Sequence, residues 1–395
     1  FATLLGGKPL PLSSRVLKGE QSNTSVVYQD TFFLKLYRHV EEGVNPDAEL
    51  PRHLTEETEF AHTPAYAGSI EWQQDRANPV TLALLMQYAP NQGDAWSFTL
   101  DSLDRSFGHA LTIRTRQDGL PPLPGSVRPI EPEAAPLAVR DFIGSVYVEM
   151  VGLLGRRTAE LHLALMSLSQ SPDVTPEPFS LFYQKSLHQS IRGLTLKVFG
   201  ELERGLKSMP AATAEAVRGV LAARKSILAR VSRLIEKRIE TVKIRTHGDY
   251  HLGQVLYTGK DFVIIDFEGE PARSMTERRL KQPALRDVAG MIRSFHYAAH
   301  GSLILRAAKF GADVEYLRPW ADLWYHCVSG MFLHAYLKTV ADSPVVPKDA
   351  AERNTLFEVF LLEKAIYELG YELNNRPDWL MIPVRGIQGL IIDKG

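Results

Sequence analysis

The first part of the chain alternates hydrophobic and polar residues with a period of two, which is typical of β-strands. Gln29 and Asp30 predict a tight turn between the second and third of these strands. A charged stretch then predicts a helix, with Asn45 as its cap, Pro46 at its first position and Pro51 as a break or a second start. The predicted strands cover residues 15–17, 24–28, 31–36, 67–73 and 80–88, and the predicted helix covers residues 45–60.

Residues 89–93, with the sequence Ala-Pro-Asn-Gln-Gly, contain the proline, asparagine and glycine that are typical of a loop and predict a hinge. Beyond them the hydrophobic positions recur at helical spacing, apart from a proline- and glycine-rich loop over residues 116–136. This change predicts an N-terminal nucleotide-binding lobe over residues 1–90 and a larger helical lobe over residues 91–395. The predicted helices cover residues 94–112, 139–167, 178–207, 211–240, 283–300, 311–341 and 350–374.

Composition narrows the range of functions. The 395 residues include 45 basic and 46 acidic ones, so no net charge attracts nucleic acid or an anionic membrane. The single cysteine, Cys327, excludes an intramolecular disulfide and fits a reducing compartment. No apolar run approaches the ~18 residues of a membrane span, and no signal peptide is recognisable. We therefore expect a cytoplasmic protein with a small-molecule substrate and without nucleic-acid or membrane partners.

Residues 247–254, with the sequence His-Gly-Asp-Tyr-His-Leu-Gly-Gln, and Asp266 after the next apolar run carry the clearest chemistry. Phosphoryl transfer needs one carboxylate that takes the proton of the acceptor hydroxyl, and a second carboxylate with an amide oxygen that holds Mg²⁺. Asp249, Asp266 and Gln254 supply these groups, at the spacing of a kinase catalytic loop. The alternative is a polar turn between two core strands.

This motif, together with the order of the elements, predicts an ATP- and Mg²⁺-dependent phosphotransferase. We expect an α+β, bilobal protein-kinase-like fold, in which a small β-rich N-lobe is followed by a large, mainly helical C-lobe. Asp249 is the predicted catalytic residue, and Gln254 and Asp266 are the predicted metal ligands.

Lys35, near the end of a predicted strand, is placed like the lysine that holds the α- and β-phosphates of the nucleotide in kinases. Such a lysine is usually positioned by a glutamate of the following helix, and Glu49 is our candidate. Glu56, Glu57 and Glu59 compete for this role. The alternative for Lys35 is an edge-strand lysine whose ammonium group reaches water.

Two further nucleotide contacts are predicted from position alone. The loop that covers the phosphates in kinases is rich in glycine, but here it would use backbone amides and hydroxyls. An adenine edge would meet backbone groups at the end of the strand before the hinge. The residues concerned are Ser22, Asn23 and Thr24 for the phosphates, and Gln87 and Tyr88 for the adenine.

Histidines recur four residues apart at His247 and His251 and again at His296 and His300. Helical spacing of this kind can bind zinc, but neither pair has the intervening glutamate of a metalloprotease. We interpret all four as structural. His247 is expected to brace the catalytic loop through a backbone hydrogen bond.

The catalytic motif, with the Ile-Asp-Phe-Glu-Gly-Glu-Pro that follows it, resembles the active-site region of bacterial maltokinases, in the aminoglycoside-phosphotransferase-like kinase superfamily. A second block, residues 362–372 and 375–383, is similar to that family's C-terminal signature. The resemblance covers about residue 21 to the C-terminus. It implies transfer of the γ-phosphate of ATP to the anomeric hydroxyl of maltose, which gives maltose 1-phosphate for α-glucan (glycogen) synthesis.

The chain departs from the family pattern in three respects. Gln254 stands where the superfamily commonly has asparagine, and its amide oxygen can still bind Mg²⁺. Glu268 replaces the glycine of Asp-Phe-Gly, which argues against regulation by a flip of this loop. Lys35 comes too early to leave room for the N-terminal cap of maltokinases, and Phe1 is not an initiator methionine. Because the family also occurs fused to trehalose synthase, we expect a portion of such a fusion or a partner of that enzyme.

The acceptor residues are assigned by residue type. Disaccharides are held by aromatic faces against the rings and by carboxylates and arginines on the hydroxyls, and the last predicted helix offers such groups at helical spacing. The alternative is that these aromatics form the core side of that helix. The predicted substrate-binding residues are Glu268, Tyr367, Glu368, Tyr371, Glu372, Arg376 and Trp379.

Two other functions stay open. The same chemistry on an aminoglycoside, choline or methylthioribose would need a different acceptor block. A regulatory pseudokinase, a nucleotide-binding module of a fused partner, would not need Lys35, Asp249 and Asp266, all of which are present.

Overall fold

The computed structural model describes residues 1–17, 23–75, 78–114 and 125–391, which form two compact units. The first unit comprises Phe1–Ala95, Glu160–Pro176 and Ile244–Gln282. The second comprises Trp96–Ala159, Glu177–Lys243 and Pro283–Gly395. The segment with the catalytic motif therefore belongs to the same unit as the N-terminal strands. The division into lobes at residue 90 stays a prediction.

The predicted strands and helices appear in the predicted order. The strands are β1 (Ser14–Val16), β2 (Asn23–Tyr28), β3 (Phe32–Tyr37), β4 (Tyr66–Trp72), β5 (Val80–Gln87), β6 (Glu177–Pro178), β7 (Val242–Lys243), β8 (Val255–Tyr257) and β9 (Phe262–Ile264). The helices are α1 (Ala2–Leu5), α2 (Pro46–Glu57), α3 (Ala95–Ile113), α4 (Leu137–Ile143), α5 (Ser145–Ser167), α6 (Leu181–Gly205), α7 (Ala211–Ala222), α8 (Arg224–Ser232), α9 (Met275–Arg278), α10 (Leu285–Leu305), α11 (Ala307–Phe310), α12 (Val314–Thr339), α13 (Ala350–Asn375) and α14 (Met381–Ile391). The structure adds elements that were not predicted, namely α1, β6, β7, α9, α11 and α14.

The first unit is built on an antiparallel sheet with the strand order β1-β2-β3-β5-β4. Gln29 and Asp30 connect β2 to β3 with φ angles of 47° and 50°, and tight hairpin turns favour such positive values. The predicted turn is confirmed. Lys35 lies opposite Ser25 on one side and Leu84 on the other, so it stands on the third of five strands and not at an edge.

Helix α2 covers this sheet. It begins as predicted, because the Asn45 side chain accepts a hydrogen bond from the backbone N–H of Asp47. The predicted break at Pro51 is wrong, since α2 runs through it. Proline removes one hydrogen bond from the helix, but packing of Ala48 against Leu84 in the sheet holds the helix in place.

The second unit is helical. Helices α10, α12 and α13 pack together, and apolar side chains of α6, α7, α13 and α14 share a buried cluster. The predicted helix over residues 139–167 is wrong in one detail, because Gly144, with a φ of 91°, separates α4 from α5. The predicted helix over residues 211–240 is likewise divided at Ala223. Within the described ranges, no helix combines the length and apolarity needed to cross a membrane.

Candidate active site

Lys35 is the centre of a charged cluster in the first unit. Its side chain is 11% exposed, and its Nζ lies 2.7 Å from a carboxylate oxygen of Asp47, 2.5 Å from Asp266 and 2.6 Å from Glu268. An edge-strand lysine that reaches water is therefore excluded. Three carboxylates face one ammonium group, so the cluster carries an excess of negative charge.

The interactions within this cluster keep Lys35 positively charged and Asp266 negatively charged. Burial disfavours the Lys35 ammonium, but the nearby carboxylates of Asp47, Asp266 and Glu268 outweigh burial and raise the pKa of Lys35 above its ordinary value. Burial likewise opposes ionisation of Asp266, and Lys35 outweighs it, so the pKa of the Asp266 carboxyl lies below its usual range. The lysine is thus charged and the aspartate ionised at neutral pH.

Asp47 is the helix partner of Lys35, and the prediction that Glu49 fills this role is wrong. The Asp47 side chain is almost fully buried, and its Oδ2 also accepts a hydrogen bond from the Tyr37 hydroxyl at 2.8 Å. Its Oδ1 accepts one from the backbone N–H of Phe267 at 2.8 Å. Asp47 therefore connects Lys35 to the loop that carries Asp266, the predicted metal loop.

Glu49 faces elsewhere because two residues along a helix turn a side chain through about 200°. Its carboxylate accepts hydrogen bonds from Arg245 at 2.7 Å and from Arg279 at 2.6 and 3.0 Å. Sequence reasoning missed Asp47 and both arginines. The available signal was the position of Asp47 in the first turn of the predicted helix, where a short carboxylate faces the preceding strand.

The predicted metal loop follows β9. Asp266 adopts a φ of 68°, a left-handed conformation that non-glycine residues adopt at a cost of order 1–3 kcal/mol and that occurs often at active sites. The Gln254 side chain hydrogen-bonds the Asp266 carboxylate, and the Ile265 N–H donates to the Gln254 carbonyl at 3.0 Å. The two predicted metal ligands are thus adjacent.

The predicted catalytic loop is anchored to the predicted metal loop. His247 is buried, and its Nε2 lies 2.9 Å from the Ile265 carbonyl oxygen, so the predicted backbone bracing is confirmed. Gly248 has a φ of 86°, and a Cβ there would lie 3.2 Å from the Cα of Gly269. Glycine at residue 248 therefore allows the two loop backbones to approach each other.

Asp249, the predicted base, is 23% exposed and lies beside His251. The His251 Nδ1 accepts a hydrogen bond from the Gly253 N–H at 3.0 Å, which leaves Nε2 to carry the ring proton of the neutral form. That Nε2 is 3.8 Å from the Asp249 carboxylate. Gly253 is needed here, since a Cβ would lie 2.9 Å from the His251 ring.

A cavity of ≈ 740 Å³ in the first unit is lined by Lys35, Asp47 and Asp266 of the charged cluster. Leu17, Phe33, Leu256 and Ile265 supply apolar lining, and the chain from Met86 to Ala89 also lines the cavity. The predicted site residues that line this cavity are Asn23, Lys35, Gln87, Tyr88, Gln254 and Asp266.

The predicted adenine contacts need a correction. The N–H of Gln87 donates to the Ala65 carbonyl at 2.8 Å, and the N–H of Tyr88 donates to the Thr31 carbonyl at 2.9 Å. Neither N–H can serve as a donor to a base. The sequence alone could not show that these two N–H groups are already bonded, because each bond joins segments that are far apart in the chain.

The predicted phosphate-covering residues are placed only in part. Ser22 lies outside the described residues. Thr24 lies in β2 opposite Leu36, and the Asn23 amide donates to the Glu268 carboxylate at 3.0 Å. Glu268, predicted to bind substrate, thus contacts Lys35 and β2.

The other predicted acceptor residues lie in the second unit. Arg293 donates two hydrogen bonds to the buried Glu368 carboxylate, at 2.8 and 2.6 Å. Glu372 is buried and accepts hydrogen bonds from Arg376 and from the Tyr297 hydroxyl at 3.0 Å.

Aromatic rings flank this cluster. Trp379 stacks on Tyr297 with ring centroids 6.3 Å apart, and the Arg376 guanidinium lies over Trp379 and Tyr371. Tyr371 is 45% exposed, whereas Tyr367 is half-buried beneath Lys364. Glu372, Tyr371, Arg376 and Trp379 are therefore brought together, and their role in binding an acceptor stays a prediction.

No protein-family model matches the chain. The glucosamine kinase of Streptacidiphilus jiangxiensis is 23% identical over 328 residues, which cover 80% of this chain and 59% of that protein. This chain therefore spans less than two thirds of that relative. The glucosamine kinase of Mycolicibacterium smegmatis is 26% identical over 408 residues, which cover 100% of this chain and 84% of that protein.

Solved structures establish the fold. A crystal structure of a glucosamine kinase (crystal form B) superposes with a TM-score of 0.68 at 21% identity. The superposition covers 99% of this chain and 82% of the glucosamine kinase chain. A glucosamine kinase in complex with glucosamine, ADP and inorganic phosphate gives 0.66 at 22% identity, with coverage of 96% and 80%. The predicted kinase-like α+β fold, with a β-rich N-terminal region and a helical C-terminal part, is confirmed.

Proposed function

We propose that the chain is an ATP-dependent sugar kinase, and that its acceptor is maltose, phosphorylated at the anomeric hydroxyl. The observation that supports phosphotransfer is the cavity of the first unit, whose lining combines apolar side chains such as Phe33 and Leu256 with the charged residues Lys35, Asp47 and Asp266. A nucleotide has the matching division, since its base is planar and partly apolar and its phosphates are anionic.

The residues at the charged end suit Mg²⁺. Carboxylate oxygens of Asp47, Asp266 and Glu268 all lie within 4.8 Å of one another, and oxygen donors are those that Mg²⁺ prefers. We propose Asp266 and the amide oxygen of Gln254 as ligands, with Glu268 adjacent. When bound, Mg²⁺ supplies neutralisation of charge on the β- and γ-phosphates. Lys35 holds the α- and β-phosphates, and Asp47 keeps its ammonium in place.

Asp249 is proposed as the base. Its carboxylate orients the acceptor hydroxyl and takes the proton as the oxygen bonds to the γ-phosphorus and the bond to ADP breaks. His251, whose Nε2 faces Asp249 at 3.8 Å, stabilises the negative charge of the carboxylate before the transfer. The resulting products are ADP and a sugar phosphate.

Maltose is proposed because the chain's C-terminal block resembles that of maltokinases and holds the residues expected to bind a disaccharide. Glu372, Arg376 and Tyr297 form a hydrogen-bonded polar group, and the Trp379 ring lies beside them. The buried Glu372 carboxylate holds Arg376 in place, and the exposed guanidinium group and the aromatic ring suit the hydroxyls and the ring face of a sugar. A fused or associated trehalose synthase and a role in glycogen synthesis stay predictions.

Glucosamine is a second candidate, because two relatives carry the name glucosamine kinase. The test offers the protein ATP and Mg²⁺ with maltose, glucosamine, glucose or an aminoglycoside in separate reactions, and identifies the products by mass spectrometry. We expect a monophosphate of maltose in preference to glucose. A missing ring leaves hydrogen bonds unpaired at about 1–3 kcal/mol, which corresponds to roughly ten- to hundredfold discrimination.

The Asp249→Asn variant is the control for the same experiment. It should lose turnover and keep ATP affinity within a few-fold of wild type, because the carboxylate serves the acceptor. Phosphorylation of glucosamine alone would replace maltose as the acceptor, and turnover by Asp249→Asn at the wild-type rate would remove Asp249 from the mechanism.

A further inference from the structure

Glu49 connects three segments of the first unit. It stands in the first turn of α2, and its side chain is 8% exposed. Arg245 Nη1 and Arg279 Nε both donate to its Oε2, at 2.7 and 3.0 Å, and Arg279 Nη2 donates to its Oε1 at 2.6 Å. Both carboxylate oxygens are therefore used, and three charge-assisted hydrogen bonds fix the side chain.

The two arginines come from segments that carry the chemistry. Arg245 is fully buried and lies four residues before Asp249. Its neighbour Ile244 forms a β-bridge with Gln282. Arg279 follows α9, in the segment after the metal loop, and also contacts Asp173 at 2.9 Å. Glu49 thus joins helix α2 to the start of the catalytic loop and to the segment that follows the metal loop.

Charge makes this junction strong. Burial opposes ionisation of Glu49, but Arg279 and Arg245 outweigh it and hold the pKa of its carboxyl below the usual range. Burial also lowers the pKa of Arg245 below its ordinary value, and Glu49 offsets only part of that effect. Loss of Glu49 would leave a buried guanidinium group beside a second one, whereas loss of Arg279 leaves the Arg245 pair intact.

The same helical turn positions Lys35. Asp47 lies two residues before Glu49, so displacement of this turn moves both side chains. Asp47 Oδ2 accepts a hydrogen bond from Lys35 at 2.7 Å, and Oδ1 accepts one from the Phe267 N–H at 2.8 Å. Both contacts depend on the position of this first turn of α2. Further contacts hold the segment after the metal loop near α2, since Arg278 reaches Glu41 and Met275 packs on Gly43.

We propose that Glu49 and Arg279 form a positioning pair for nucleotide binding, which fixes the first turn of α2 so that Asp47 can hold Lys35 in the cavity. The proposal rests on the proposed kinase function. Neither residue touches the nucleotide in this account, and the effect passes through Asp47.

The test is the dissociation constant for ATP with Mg²⁺, measured by calorimetry on the full chain, with steady-state kinetics beside it. Arg279→Ala should weaken ATP binding about tenfold and raise the KM for ATP to match, while the KM for the acceptor stays within about twofold. The protein should stay folded because Arg245 still binds Glu49. Glu49→Gln should weaken ATP binding at least as much.

Asp173→Asn is the matched control, because Asp173 is 63% exposed and is the other carboxylate on Arg279. It should leave the dissociation constant within about twofold. The path through Asp47 is tested by the double variant. In an Asp47→Asn background, Arg279→Ala should change ATP affinity by less than about twofold, whereas a merely structural role would add its full effect.

Two results would overturn the positioning role: an Arg279→Ala variant that binds ATP as wild type does, or a full additional loss in the Asp47→Asn background. Failure of the proposed function looks different. A wild-type protein that binds ATP but phosphorylates neither sugar would refute the acceptor and leave the positioning pair standing, and a wild-type protein that does not bind ATP would refute both.

Discussion

Replacement of Asp47 by asparagine is the perturbation whose outcome the structure defines most closely. The aspartate accepts hydrogen bonds on both oxygens, from Lys35 and Tyr37 on one and from the Phe267 N–H on the other. An asparagine has one carbonyl oxygen and one amide donor. Whichever way it turns, its NH₂ group faces a donor, so at least one of these contacts is lost and replaced by repulsion between two donors.

The magnitude follows from burial. The Lys35 and Asp47 side chains are 11% and 1% exposed, so solvent screens their interaction little. Breaking a buried ion pair costs about 3–5 kcal/mol, and a charge-assisted hydrogen bond contributes about 1.5–3 kcal/mol. Because Lys35 keeps Asp266 and Glu268, we expect the free energy of unfolding to fall by about 2–3 kcal/mol. The KM for ATP should rise about tenfold, since one of the three groups that hold the lysine loses its negative charge.

The assay is urea unfolding followed by tryptophan fluorescence, with ATP kinetics on the same preparations. Tyr37→Phe is the matched control, because it removes one hydrogen bond to the same Asp47 oxygen without a change of charge. It should cost only about 0.5–1.5 kcal/mol. An Asp47→Asn variant within 0.5 kcal/mol of wild type, or no less stable than Tyr37→Phe, would contradict the reasoning, where 0.5 kcal/mol is roughly the spread of ordinary surface substitutions.

Three further predictions concern the metal, the acceptor and pH. Asp266→Asn should weaken both Mg²⁺-dependent ATP binding and kcat, with partial rescue at high Mg²⁺; an unchanged Mg²⁺ titration would remove Asp266 from the metal site. Arg376→Ala and Tyr371→Ala should each raise the KM for maltose roughly tenfold and leave the KM for ATP unchanged; kinetics indifferent to both changes would place the sugar elsewhere. Burial, reinforced by Arg293, holds the pKa of His296 well below 6.5. The folded protein therefore disfavours the protonated form of His296, whereas the unfolded chain binds that proton. Below about pH 6.5 the free energy of unfolding should fall by about 1.4 kcal/mol per pH unit, until the pH reaches the lowered pKa of His296. His296→Gln should remove that share of the slope, and an identical slope in the variant would refute the assignment.

Local patterns predicted the part of this molecule that depends on short stretches of chain. The alternation in β2 and β3 predicted the strand position of Lys35, which the structure confirms. The spacing from Asp249 to Gln254 predicts the catalytic loop, and that role stays a prediction. Asn45 and Pro46 marked the start of α2 because a helix start is a local event.

Contacts between distant segments could not be read in the same way. The choice of Asp47 over Glu49 depends on the rotation of α2 above the sheet, which its packing through Ala48 decides. The N–H groups of Gln87 and Tyr88 are used by Ala65 and Thr31, which lie far away in the sequence.

Breaks within the long helices were missed for a related reason. The hydrophobic spacing continues across Gly144, and only its left-handed backbone angle ends α4 there. Ala223, with a φ of −79° and a ψ of 3°, ends α7, but alanine is an ordinary helix residue and its type does not signal a break. Periodicity reports which side of a helix is buried, and it does not report where the axis changes direction.

The most direct test of the central claim is ³¹P NMR of the protein incubated with ATP, Mg²⁺ and maltose, with glucosamine in a parallel tube. We expect a new phosphate resonance coupled to the anomeric proton of maltose, growth of ADP in equal amount, and neither signal with Asp249→Asn. ATP that stays intact with both sugars, or a sugar phosphate formed equally by Asp249→Asn, would contradict the assignment of this chain as a sugar kinase with Asp249 as its base.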